Sequence, residues 1–147
     1  MKRSGTLKHF AFALVIALVV YFCFFFAIEH LRTRKGSWQV TFTTEGKTPV
    51  LVVNEPALGI NQVKIVFPNA TAPATNTTLP FAQPQDVPFD LPFGQCVFED
   101  TTFQPGTVAF KLFGQQVQLL PRVLTINGHE YPWQSQQTIA VTNAAAQ

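Results

Sequence analysis

The chain has 147 residues, 47% of them apolar and only 12% charged, with 15 Phe, 11 Pro and 2 Cys. A charged share about half of the roughly 25% usual in soluble proteins points to a part in lipid, while the aromatic content excludes disorder throughout and the cysteine count excludes a disulfide-stapled miniprotein. The net charge of +2 is uneven: residues 1–35 set six Lys/Arg against Glu29, the remainder sets four against seven Asp/Glu, and so no basic folded surface is offered to nucleic acid.

Phe10 to Ile28 is a run of 19 residues without a charge, FAFALVIALVVYFCFFFAI. As a helix it covers about 28 Å, close to the roughly 30 Å of bilayer hydrocarbon. Lys2, Arg3 and Lys8 precede it and Arg32, Arg34 and Lys35 follow. A transmembrane helix over 10–28 is expected, pinned at both ends, with Arg32, Arg34 and Lys35 meeting anionic lipid headgroups. Cleaved signal peptides have shorter apolar cores and small residues before the cut. Here Phe24-Phe25-Phe26 stands at that place, and bulky Tyr21 and Phe22 precede Cys23 where a lipid-modified cysteine needs small neighbours. The expectation is a retained anchor. Its flanks balance in Lys/Arg, which leaves the positive-inside rule tied. The nine-residue lead and the weakly charged domain that follows break the tie: residues 1–9 are read as cytoplasmic and the domain as periplasmic or extracellular.

Aromatic residues crowd this segment: Phe10, Phe12, Tyr21, Phe22, Phe24, Phe25 and Phe26. An interfacial belt in contact with lipid is one use for them. The sharper use is docking of Tyr21, Phe22, Phe24, Phe25 and Phe26 against other transmembrane subunits, or against a flat pigment or quinone. Ala13 and Ala17 form a small-xxx-small pair that lets another helix approach.

Residues 29–37 are read as a juxtamembrane linker and 38–147 as a separate domain. From Trp38 the period becomes two: Trp38, Val40 and Phe42 share a face opposite Gln39, Thr41 and Thr43. Glu45-Gly46-Lys47 turns the chain into an apolar strand, Val50 to Val53; Glu55 to Gly59 is a loop; then Val63, Ile65 and Phe67 alternate with polar residues until Pro68. Residues 68–92 carry six prolines and predict an extended loop without helix or central strand. Phe81, Val87, Phe89, Leu91 and Phe93 tack its second half onto a surface, either its own sheet or a partner's, which makes Phe81, Phe89 and Phe93 candidate partner contacts.

Strand patterns resume at Gln95 to Glu99, with Cys96 and Phe98 on one face. They continue through Val108, Phe110 and Leu112, through Val117 and Leu119, and through Leu124 and Ile126. Asn127-Gly128 between apolar runs is a strong hairpin signal; His129 to Trp133 returns from it, and Thr138 to Thr142 is a last strand. About eight short strands without a helical period give an all-β antiparallel sandwich behind the transmembrane helix, with an Ig-like fold or a small barrel as alternatives. Cys96 reads as a small buried hydrophobe, with an intermolecular disulfide as the minority reading.

Chemistry is sparse. His9 and His30 stand at opposite ends of the helix, and His129 and Glu130 alternate faces on a strand, so no metal set forms. Glu99-Asp100 and Asp86/Asp90 are the carboxylate pairs the sequence offers for acid–base work, and both read as solvated groups. Asn69-Ala70-Thr71 and Asn76-Thr77-Thr78 match the glycosylation acceptor pattern. No catalytic residue, cofactor or metal is assigned, and the small-molecule ligand is left open. The reading is a non-catalytic accessory subunit of a larger membrane complex, with membrane lipids and other transmembrane subunits as partners. The alternative is a membrane-anchored envelope-binding module whose Gln/Thr-rich sheet face recognises glycan or a secreted partner.

Overall fold

The computed structural model describes residues 3–34, 36–102 and 105–142, with side chains in the first segment described from 5 to 29. It divides into two compact units, Met1–Arg34 and Lys35–Gln147.

The first unit is one helix, α1 (Arg3–Arg34). Within it Gly5–Glu29 is long and apolar enough to cross a membrane, and none of that stretch is buried inside the chain. The helix outruns the uncharged run at both ends because Leu, Lys, Arg and Glu are good helix formers and no proline stops them. Apolar residues lie on all its sides. Such a helix needs lipid or protein around it.

The second unit holds eleven strands among the described residues: β1 (Trp38–Glu45), β2 (Thr48–Glu55), β3 (Ile60–Val66), β4 (Asn76–Phe81), β5 (Phe89–Leu91), β6 (Gly94–Asp100), β7 (Thr107–Leu112), β8 (Gln115–Leu119), β9 (Val123–Ile126), β10 (His129–Pro132) and β11 (Thr138–Ala140). They form a five-stranded sheet in the order β11-β3-β2-β1-β4 and a six-stranded meander in the order β10-β9-β8-β7-β6-β5. The alternation read from Trp38 holds, with Trp38, Val40 and Phe42 fully buried. The Asn127-Gly128 turn forms with both residues at positive φ, 51° and 81°, as a two-residue hairpin with right-handed strand twist requires.

Three expectations are corrected. The Pro-rich stretch supplies two strands, β4 and β5, each at a sheet edge. Pro80 is tolerated there because an edge strand has no neighbour on one side to miss its N–H. The last strand is not antiparallel: β11 lies parallel to β3, Ile139 opposite Ile65. The third is the face of Phe98, which is exposed while Cys96 is buried.

Both sheets contribute to a single buried cluster, from Trp38, Val40, Phe42, Leu51 and Ile65 in one to Cys96, Phe110, Leu112, Val117 and Leu124 in the other. A string of aromatic rings runs through it and along its rim, where Phe113 is 36% exposed. Phe67 meets Phe113 at 5.3 Å, Phe113 meets Phe93 at 5.5 Å, Phe93 meets Phe42 at 5.6 Å, Phe42 meets Phe110 at 6.3 Å and Phe110 meets Phe81 at 5.3 Å. These spacings are those of favourable edge-on and tilted ring pairs. The two indole N–H groups are satisfied on the backbone, Trp38 donating to Gly106 O at 2.7 Å and Trp133 to Leu120 O at 2.8 Å.

Candidate functional site

The meander's outer face departs from the pattern at one place. In β6, Cys96 pairs with Phe110 but Phe98 pairs with Ala109, so Val97 is an extra residue and the strand bulges. A regular register would set Phe98 opposite Val108, whose side chain is buried, and Glu99 opposite Thr107 on the outside. The bulge exchanges them. Phe98 turns outward, 50% exposed beside Val97 at 37%, and Glu99 now sits opposite Val108. The reading of Cys96 and Phe98 on one face is thereby corrected, since a period of two fails wherever a residue is inserted.

This exchange works against stability on both counts. It leaves an aromatic ring in water, at a cost of about 1 kcal/mol, and it turns a carboxylate toward the interior. Glu99 Oε2 accepts from Gln85 N at 3.3 Å, while Oε1 is buried with no hydrogen bond. Burial raises the Glu99 pKa against the lowering effect of that backbone bond. Bulges commonly re-aim side chains next to functional sites, and local rules are broken mainly where function requires it.

The surroundings of Phe98 are set by register. Its row runs Phe98, Ala109, Gln118, Thr125, Glu130 across five strands. The neighbouring row runs Asp90, Gln95, Lys111, Gln116. Thr125 donates to Gln118 Oε1 at 3.1 Å and Gln95 donates to Asp90 Oδ1 at 3.1 Å, which fixes two of the side-chain amides. Val97, Lys111, Gly114, Gln116 and Asn127 line an open groove of about 410 Å³ on this face.

Comparison with family models, with curated proteins and with solved structures finds no match to this chain. Its site must be read from its own residues.

The residues singled out from sequence separate into distinct places. Glu99 and Asp100 are on β6 and His129 and Glu130 on β10, four strands away, about 19 Å at the usual strand spacing. They share no site. His129 and Tyr131 line a smaller cleft of about 270 Å³ with Asn127, Val141 and Thr142, and among the described residues no carboxylate joins them. Asp86 is exposed in the loop before β5. Among the described residues no three His, Cys, Asp or Glu are grouped to hold a metal. Cys96 is fully buried and free; burial pushes its thiol up to about 11, the nearby Glu99 charge adding to the rise.

Of the candidate partner contacts, Phe81 and Phe93 are core residues, 5% and 6% exposed, and out of a partner's reach. The bulk of the two sheets needed those rings to close its own cluster. Phe89 is half-buried and stacks on Phe81 at 6.4 Å. Tyr21, Phe22, Phe24, Phe25 and Phe26 are exposed on α1, with Ala13 and Ala17. Tyr21 and Phe25 stack one turn apart at 6.3 Å. The side chains of Arg32 and Arg34, the side chain of His30 and the whole of Lys35 lie outside the described residues.

One buried acid was not anticipated. Glu55, placed in a loop by the sequence pattern, ends β2 with no exposed surface. Its Oε1 accepts from Ala57 N at 2.9 Å and caps the turn Pro56–Leu58; Oε2 is buried without a hydrogen bond. Burial raises its pKa more than the Ala57 bond lowers it. Asp100 shifts the other way, held low by the Thr102 side-chain and backbone hydrogen bonds.

Proposed function

We propose that the chain is a single-pass membrane protein whose two sheets pack as a β-sandwich outside the cytoplasm, and that it serves as a non-catalytic accessory subunit of a larger membrane complex. The observation that carries this reading is α1: Tyr21, Phe22, Phe24, Phe25 and Phe26 are all exposed, 48–66%, with ring contacts only to one another among the described residues. Other transmembrane helices would give them a protein partner. Only Lys35, Gly36 and Ser37 separate α1 from β1, a tether of at most about 10 Å, which keeps the β-domain where it can cover neighbouring membrane proteins. A sandwich is favoured over a closed barrel because each sheet keeps two edge strands, and over an Ig-like fold because the meander lacks Greek-key crossings. Solubilisation of native membranes in mild detergents followed by sizing tests the assignment. Co-migration with larger membrane proteins supports it, and a lone monomer in every mild detergent overturns it.

A second reading is favoured by a separate observation, the outward Phe98 amid Gln and Thr side chains. On that reading the domain is an anchored binding module of the envelope that recognises glycan. Full-length protein and protein lacking residues 1–36 distinguish the two. A binding module keeps its ligand when cut free, whereas an accessory subunit loses its association.

A further inference from the structure

We propose that the outer face of β6–β9, centred on Phe98, is a binding site for a neutral oligosaccharide. This rests on the second reading above and adds the residues and the class of ligand. The accessible apolar part of the face consists of the Phe98 ring and Val97, 50% and 37% exposed. Ala109 points outward in register yet is only 4% exposed. Two partly exposed apolar side chains offer a platform for a single stacked ring, not the broad apolar patch that a stable protein interface buries.

Around this spot stand three amides and a hydroxyl, Gln95, Gln116, Gln118 and Thr125, with Lys111 between Gln95 and Gln116. Each amide offers both donors and an acceptor, as does each hydroxyl of a sugar. The two rows carry one cation, Lys111, and two anions, Asp90 and Glu130. With Asp100 exposed two residues beyond Phe98 on the same side of β6, the anions outnumber Lys111, which disfavours an anionic ligand. Two of the amides are held before any ligand arrives, Gln118 by Thr125 and Gln95 by Asp90, which lowers the ordering cost of binding. The groove leading from Val97 past Lys111 and Gln116 to Asn127 gives further sugar units a place to lie. The bulge supplies the reason for its own cost: it is what turns the stacking ring outward.

The test uses the full-length protein in micelles of a detergent without a sugar headgroup. Hexasaccharides of α-1,4-glucose, β-1,4-glucose and β-1,4-N-acetylglucosamine are titrated and followed by calorimetry and by side-chain amide NMR signals. Binding of at least one hexasaccharide is expected, weakened about tenfold in Phe98→Ala, as loss of one stacking ring implies, and retained in Phe98→Tyr. Thr41→Ala on the outer face of the five-stranded sheet is expected to leave it unchanged. Binding that survives Phe98→Ala at full strength overturns the site while leaving the glycan-binding reading in place. Absence of binding to all three probes overturns both.

Discussion

The outer faces of the two sheets show how differently one chain treats apolar side chains that point away from its core. On the five-stranded sheet Val50 and Val52 point outward opposite Thr43 and Thr41, yet Val50 has no exposed surface and Val52 only 8%. Polar side chains pair on that face: Lys64 on the Val52 row reaches Glu45 on the Thr48 row at 2.9 Å, and Thr41 bonds Thr78 at 2.8 Å. On the meander, Phe98 and Val97 stay bare although Gln118, Lys111 and Gln95 stand nearby. Composition does not separate the two faces, since both mix Val or Phe with Thr, Gln and Lys. The inserted residue in β6 does. The five-stranded sheet conceals its outward valines, whereas the bulge in the meander leaves a phenylalanine half exposed.

The strongest way to strain this comparison is to damage the shared inner face. Phe110 has no exposed surface and touches the rings of both Phe42 and Phe81. Phe110→Ala is expected to cost about 3–5 kcal/mol, read as a fall in the denaturant midpoint of the β-domain. Should the loss stay well below that, the two sheets do not share one core and the sandwich is wrong.

Next in size is the edge beside the proposed site. Gly94 starts β6 against β7, and a β-carbon there would fall 2.1 Å from Lys111 O, which is backbone and cannot swing aside. Gly94→Ala is expected to lower stability by about 1–3 kcal/mol and to increase amide exchange in β5 and β6 while the five-stranded sheet stays protected. Equal loosening of both sheets would show that they do not respond separately.

The buried acids give a smaller effect of known sign. The pKa values of Glu55 and Glu99 are both raised by burial, so the folded state binds protons more readily than the unfolded chain. Their contribution is fully favourable below the ordinary carboxylate range and is lost as pH rises through their raised values. The β-domain is therefore expected to gain stability as pH falls from neutral toward 5. Glu55→Gln, which keeps an acceptor for Ala57 N, is expected to add about 1 kcal/mol at neutral pH and to flatten that profile. Glu99→Gln adds less, because water screens it. Thermal midpoints across pH decide this, and a domain that weakens on mild acidification contradicts the assignment. The Cys96 thiol behaves similarly at the alkaline end, its contribution fading between its ordinary value of 9 and the raised value of about 11.

Legibility in the sequence followed the same division. The alternation of Trp38, Val40 and Phe42, the stop at Pro68 and the Asn127-Gly128 turn were readable because each depends on a local rule. The strands β4 and β5 were hidden in a proline-rich stretch, since nothing local says that Pro80 will find an edge. The parallel β11 was hidden because strand direction depends on where the chain returns, not on its side chains. Glu55 was hidden because the pattern of a carboxylate before Pro56 reads as a solvated turn, whereas the turn folds back over it. Phe98 was hidden by counting in twos across an insertion. The only local hint was that Val97 and Phe98 are consecutive large apolar residues between polar Gln95 and Glu99.

The smallest expected effect is the most telling about the meander's outer face. Phe98→Thr removes a half-exposed ring from a strand position where threonine is well suited. If the ring serves the fold, its removal should cost well over 1 kcal/mol, as in a buried cluster. If the bulge presents it to a ligand, stability should move by no more than about 0.5 kcal/mol in either direction, and the Cys96 thiol should stay protected from thiol reagents because β6 keeps its register. A large loss with an accessible Cys96 would mean that Phe98 holds the bulge closed, and would move its role from recognition to architecture.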